Sequence, residues 1–168
     1  MRADVGTIRM EGGVLADLYV RNAGGALRLA YLLTGDASEA EDLVQDAFLR
    51  LAGRLLHFRD PAGFHAYLRR TIVNLARSHF RRLAIERRFI ERQTEPPPLD
   101  APDVSDREAL RCALMELPVR QRTAIVLRYF EDLSEDETAG LMRCRPAAVK
   151  SLVFRATSSL RMTLGEER

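Results

Sequence analysis

Three consecutive prolines, Pro96-Pro97-Pro98, followed by Pro102, stand near the middle of a 168-residue chain. No helix or central strand passes through such a run, because each proline removes a backbone donor and fixes φ near the extended region. The segment from Thr94 to Pro102 is therefore a break. On both sides of it apolar residues recur at helical spacing, and no alternating strand pattern of useful length appears. The expectation is an all-α chain of two small helical domains joined by a Pro-rich linker. The boundaries are 12–92 for the first domain, 93–104 for the linker and 105–164 for the second.

Composition narrows the function classes. With 46% hydrophobic and 30% charged residues the chain is globular. It has no apolar run long enough to span a bilayer, and Met1 to Gly13 lacks a signal-peptide core. A cytoplasmic protein, not membrane-embedded, is expected. Cys112 and Cys144 have no CxxC or histidine neighbours, so neither zinc nor a disulfide framework is indicated, and both thiols are expected to be buried. His57, His65 and His79 are scattered, and no nucleophile triad, carboxylate pair or glycine-rich phosphate loop is visible. No enzyme activity, cofactor, metal or small-molecule substrate is expected.

The net charge of +2 hides a block pattern: −2 over residues 1–60, +6 over 61–92, −4 over 93–110 and +2 over the remainder. An arginine block between acidic ones is either a solvated surface or the footprint of a nucleic-acid contact.

The second domain contains the most structured pattern. Ser134 and Glu137 have the spacing of a capping box, opening a helix that buries Leu133, Thr138, Leu141 and Met142. The stretch Met142-Arg143-Cys144-Arg145-Pro146 breaks the period, and Pro146 suits the first position of a new helix. That helix has an apolar stripe of Val149, Leu152, Val153 and Leu160, with Arg145, Ala147, Ala148, Lys150, Ser151 and Arg155 largely opposite. This is the plan of a helix-turn-helix DNA reader, whose second helix meets base edges with its first turns and phosphates with later cations. Any three-helix bundle with a solvated basic face gives the same pattern, so both readings are open at this point.

In the first domain, Val14 to Leu33 reads as a helix weakly interrupted at Gly24-Gly25. Ser38 and Glu41 suggest a capping box for a second helix over Ala40–Leu51. Its polar face carries Glu39, Asp42, Gln45, Asp46, Leu49 and Arg50, suited either to a basic partner helix or to solvent. Leu56, His57 and Phe58 lie among arginines before Asp60-Pro61, a loop composition that fits capture of an unstacked base; the alternative is that Phe58 folds into the core. A third helix, Ala62 to about Arg92, exposes Arg69, Arg70, Asn74, Arg77, Ser78, Arg81 and Arg82. Asn74, Arg77 and Arg81 are spaced to share a face for base readout and phosphate contact.

These segments, in this order, resemble a known family. The strings DLVQDAFLRL from Asp42 and YLRRTIVNLARSH from Tyr67, the proline-bearing linker, LPVRQR from Leu117 and Val149-Lys150-Ser151 together are similar to the extracytoplasmic-function (group IV) sigma factors of bacterial RNA polymerase, of the SigE-like actinobacterial type. The likeness spans about residues 14–162. It implies a sigma-2 helical bundle and a sigma-4 helix-turn-helix. Asp42, Gln45, Asp46 and Leu49 would dock on the β′ coiled coil of core polymerase. Leu56, His57, Phe58, Arg69, Arg70, Asn74, Arg77 and Arg81 would engage the −10 element. Arg143, Arg145, Ala147, Ala148, Lys150, Ser151 and Arg155 would read the −35 element, with an apolar edge on the β flap. Promoter DNA, core polymerase and an anti-sigma factor are the partners implied.

Many relatives have glycine where Arg143 stands, a small polar residue where Arg145 stands and threonine where Ala148 stands, which implies an altered −35 preference. Two other functions share parts of the pattern: a stand-alone helix-turn-helix regulator, and a sigma-like interaction protein with impaired promoter reading.

Overall fold

A computed structural model describes residues 5–53, 61–90 and 106–165. Every element among them is helical: α1 (Val5–Thr34), α2 (Ala37–Ala52), α3 (Pro61–Ile90), α4 (Asp106–Glu116), α5 (Val119–Ile125), a π-helical turn (Val126–Phe130), α6 (Glu135–Met142) and α7 (Pro146–Gly165). The linker and the Leu56-His57-Phe58 loop lie outside the described residues. None of these helices is long and apolar enough to cross a membrane.

Helices α1, α2 and α3 pack against one another around Leu29, Leu33, Val44, Phe48, Phe64, Leu68 and Ile72, all nearly inaccessible to water. Each of these side chains stabilises the bundle by about 1.5–3 kcal/mol relative to an exposed position. Tyr19 is 42% exposed, yet its ring packs tilted against Phe48 at 4.8 Å between centroids. Helix α1 runs without a break through Gly24 and Gly25. The start of α2 also differs from expectation. Asp36 is its N-cap, accepting from the Glu39 N–H, so the carboxylate two residues earlier displaces Ser38 from that role.

In the second half α5, α6 and α7 enclose Ala124, Val126, Leu127, Leu133, Thr138, Val149 and Ala156. The helix that follows Pro118 widens after Ile125. Glu131 N–H donates to Val126 C=O at 3.2 Å and Leu133 N–H to Leu127 C=O at 3.1 Å. An inserted residue of this kind shifts the following side chains around the axis. Phe130 accordingly ends 44% exposed. The cysteines depart from expectation too: both are free thiols, Cys112 exposed and Cys144 half-buried.

The two halves touch, and their buried residues form a contiguous cluster. Gly35, at φ +75°, closes the α1–α2 turn directly beneath Met115 of α4, where a Cβ would collide with the methionine sulfur. The Gly35 carbonyl also accepts from Arg111 Nη1 at 3.1 Å. Gly35→Ala should therefore cost about 1–3 kcal/mol through left-handed strain and displacement of Met115. A change of that size lowers Tm by about 2–10 °C for a chain of this length. Gly24→Ala, in a helix with nothing within 4 Å of the added methyl, should instead stabilise by about 0.5–1 kcal/mol. A thermal melt of the two variants showing the same sign would refute the assignment.

Candidate nucleic-acid interface and docking faces

The α6–α7 pair is built as its sequence suggests. Ser134 Oγ accepts from Glu137 N–H at 3.2 Å while Glu137 Oε2 accepts from Ser134 N–H at 2.8 Å, completing the capping box. The Ser134 hydroxyl, donating to Glu137 Oε2 at 2.7 Å, and then the Ser134 N–H hold the Glu137 carboxyl below the usual carboxylate range. Helix α6 ends at Arg143, in the left-handed region at φ 53°, ψ 52°, with the Cys144 N–H donating to Ala139 C=O at 3.0 Å. Glycine normally fills such a position. Arginine does so here at a cost of about 1–2 kcal/mol, and its side chain is left exposed beside the turn.

Helix α7 then closes on Arg145, whose carbonyl accepts from Ala148 N–H at 2.9 Å and Val149 N–H at 3.3 Å. Val149 and Ala156 anchor it, both 0% exposed. The opposite face gathers Arg145, Ala147, Lys150, Ser151 and Arg155, all exposed, with Ala148 half-buried at the edge. Among the described residues none of Arg143, Arg145, Lys150 and Arg155 forms an ion pair. Phe154, absent from the sequence-derived set, lies among them with 73% of its surface in water. Its spacing of three and four residues from Ser151 and Lys150 was the signal available. An exposed aromatic on this face is suited to apolar contact with a thymine methyl.

The polar side of α2 divides. Asp42 and Gln45 are exposed, and Leu49 is 75% exposed, at spacings of three and four residues that put them on one face. Asp46 instead takes a bidentate pair from Arg50, at 2.9 and 3.0 Å, toward α3. There the two helices enclose an open cleft of about 660 Å³ whose polar lining includes Asp46, Arg50, Asn74, Ser78, Arg81 and Arg82.

The basic face expected on α3 is likewise two faces. Asn74 and Arg81 line the cleft with α2, whereas Arg69 and Arg70 line a second cleft against α6, and Arg77 a third against α5 and α6. Arg77 Nη2 still reaches Asn74 Oδ1 at 3.2 Å. Arg69 is not exposed as its spacing implied. Its Nε donates to Glu131 Oε2 at 2.7 Å, with side-chain exposures of 17% and 16%. The partner is 62 positions away in sequence, beyond what local spacing reveals.

With this geometry in place, comparison with known proteins is direct. The family model for Sigma-70 region 2 matches residues 18–85 and that for Sigma-70 region 4 matches residues 107–160. The RNA polymerase sigma-E factor of Streptomyces coelicolor is 36% identical over 148 residues, covering 87% of this chain and 84% of that protein. The ECF RNA polymerase sigma factor SigM of Mycobacterium tuberculosis is 31% identical, covering 88% and 76%. Among solved structures, CnrH in complex with the cytosolic domain of CnrY aligns with a TM-score of 0.63 at 25% identity, over 92% of this chain and 89% of that one. The sigma factor RpoE from Bartonella quintana, solved with the anti-sigma factor NepR, aligns at 0.71 and 24% identity over 89% and 96%, a likeness of fold.

Proposed function

The chain belongs to the sigma-70 family, as an RNA polymerase sigma factor of the extracytoplasmic-function type, and we propose that its two domains hold core polymerase and promoter DNA with the residues described above. The observation that carries this reading is the exposed α7 face of Arg145, Lys150, Ser151 and Arg155 set on a buried Val149–Ala156 seam. That arrangement lies within the region-4 match, while a region-2 match covers the other half. A stand-alone helix-turn-helix regulator has no use for the amino-terminal, region-2 domain.

In this reading residues 12–92 dock and melt, residues 93–104 connect, and residues 105–164 read the −35 element. The exposed Asp42, Gln45 and Leu49 meet the β′ coiled coil, with Asp46 at the border of that patch. A negative patch around an apolar anchor steers a basic helix and then buries one large side chain. Leu56, His57 and Phe58 trap a flipped −10 base, with Asn74, Arg77 and Arg81 on the adjoining backbone. Each stacked base contributes about 1–3 kcal/mol toward strand opening. No bond is made or broken by the chain; the chemistry is polymerase's. Arg143, Arg145, Ala147, Ala148, Lys150, Ser151 and Arg155 read the −35 duplex, Phe154 adding an apolar contact, and the exposed Tyr129 and Phe130 are the apolar edge offered to the β flap. The protein works in the cytoplasm, held in reserve by an anti-sigma factor.

In vitro transcription with purified core polymerase tests the whole scheme. Asp42→Arg combined with Leu49→Ala should abolish co-elution with core and reduce run-off transcript by more than about 100-fold, as loss of a central anchor with charge reversal implies. Undiminished co-elution would remove α2 from the interface. Phe58→Ala should keep co-elution but weaken permanganate reactivity of the −10 thymines.

A further inference from the structure

Three arginines from separate elements converge on one small cavity. Arg77 of α3, Arg120 of α5 and Arg143 at the end of α6 line an open space of about 300 Å³ whose apolar wall includes Val73, Leu141 and Met142. None of the three pairs with a carboxylate among the described residues, and the lining of the cavity holds no acidic residue. Other clefts along α3 differ in this respect. Asp46 lines the one against α2 and Glu137 the one against α6, so the arginines there have a counter-charge beside them. Like charges gathered without one repel each other, and a multiply charged anion removes that cost.

The backbone supplies an independent argument. Arg143 holds φ 53°, ψ 52°, a conformation that glycine takes without steric cost and that other residues keep mainly at working parts of a protein. The residue held there is the third cation of the cavity.

The lining also selects the ligand. Guanidinium forks match phosphate oxygens and stack on flat rings, whereas Val73, Leu141 and Met142 offer a bed to a ring and not to a second charge. Three cations suit two phosphates better than one. The volume is at the small end of the range for small-molecule sites, which admits a mononucleotide and excludes a dinucleotide.

We propose that this cavity binds a nucleoside diphosphate, with the phosphates held by Arg77, Arg120 and Arg143 and the base laid on the apolar wall. The site belongs to the free chain and goes beyond the promoter-binding reading. Its occupant draws on Arg77 and Arg143, one from each set assigned to DNA, and adds Arg120, which neither set contains.

The test is equilibrium binding of ADP, GDP, inorganic pyrophosphate and adenosine to the full chain, followed by calorimetry and by protection against thermal unfolding. ADP or GDP should bind one to one. Pyrophosphate should bind at least about tenfold more weakly, since it lacks the stacked base, and adenosine should not bind detectably. Arg120→Ala and Arg143→Gly should each weaken the diphosphate about 10- to 100-fold, the effect of losing one charge-assisted contact. Glycine suits the turn at 143, so that variant keeps its fold. Arg82→Ala, in the cleft between α2 and α3, should leave binding unchanged. Equal weakening by Arg82→Ala would mean that overall charge holds the nucleotide, and overturns the site. Pyrophosphate binding as tightly as ADP overturns the assignment of a base to the apolar wall. No binding of ADP or GDP, with Arg120→Ala and Arg143→Gly still lowering the promoter affinity of holoenzyme, makes these arginines DNA contacts and overturns the nucleotide site. Co-elution with core polymerase, measured beside these, decides the sigma-factor reading alone.

Discussion

Replacing Lys150 and Arg155 together by alanine should weaken promoter binding by about 10- to 100-fold at physiological salt and flatten its salt dependence. The two cations are exposed on α7 and neither is drawn into an ion pair among the described residues. Their charge is therefore available to displace counterions from DNA. Each phosphate contact contributes about 0.9 to the slope of log affinity against log salt, so the double variant should lose about 1.8. The fold should survive, because Val149 and Ala156, not the cations, hold the helix in place. Ser151→Ala or Phe154→Ala should behave differently, changing which −35 sequences bind while leaving the slope alone, since base-edge contacts release no counterions. Fluorescence anisotropy of holoenzyme on a labelled promoter duplex across a salt series measures both. Parallel lines for parent and the Lys150/Arg155 double variant would mean these side chains face solvent rather than phosphate.

Which parts were legible from the sequence follows from how local their causes are. The Ser134–Glu137 box, Pro146 at the head of α7 and the buried Val149 seam each arise within about one or two turns of chain, and all were read from spacing. The N-cap of α2 went to Asp36 instead of Ser38 because two plausible caps lie two residues apart, and only the closing geometry of the Gly35 turn selects between them. The division of α3 into two basic faces was hidden for a stronger reason. Helical spacing puts Asn74, Arg77 and Arg81 near one another, but which neighbour each meets depends on how α2, α5 and α6 are packed around them. Glu131 is unremarkable in its own neighbourhood. It becomes the partner of Arg69 only after a π-helical turn rotates it toward α3, and apolar periodicity carries no signal for an inserted residue.

Arg122→Met should raise thermal stability and make the chain slower to engage core polymerase. Arg122 is 5% exposed, and no carboxylate pairs with it among the described residues. Its Nη1 faces the Met115 sulfur at 2.6 Å, its guanidinium lies 4.7 Å from the Phe80 centroid, and its Nε has no hydrogen-bond partner. Burial disfavours the charged form, yet a guanidinium does not give up its proton. The ring contact returns about 0.5–2 kcal/mol, while an incompletely satisfied buried charge costs several kcal/mol. Exchange for an unbranched apolar side chain should then stabilise the chain with its two halves packed together by about 1–2 kcal/mol, or about 2–8 °C in Tm. Arg122→Ala should do the reverse, because it opens a cavity beside Phe80 and Met115. The functional consequence follows from where Arg122 sits, in the seam between the domains. Separation returns the guanidinium to water, so its burial lowers the free energy of opening and offsets part of what Glu131 and the apolar seam contribute to closure. With methionine there, the open fraction should fall about 5- to 30-fold, and association with core, followed by stopped-flow fluorescence, should slow in proportion if opening precedes docking. A Tm that drops with Arg122→Met as far as with Arg122→Ala would show that the guanidinium strengthens the seam, and the account of a closure held deliberately near balance would fail with it.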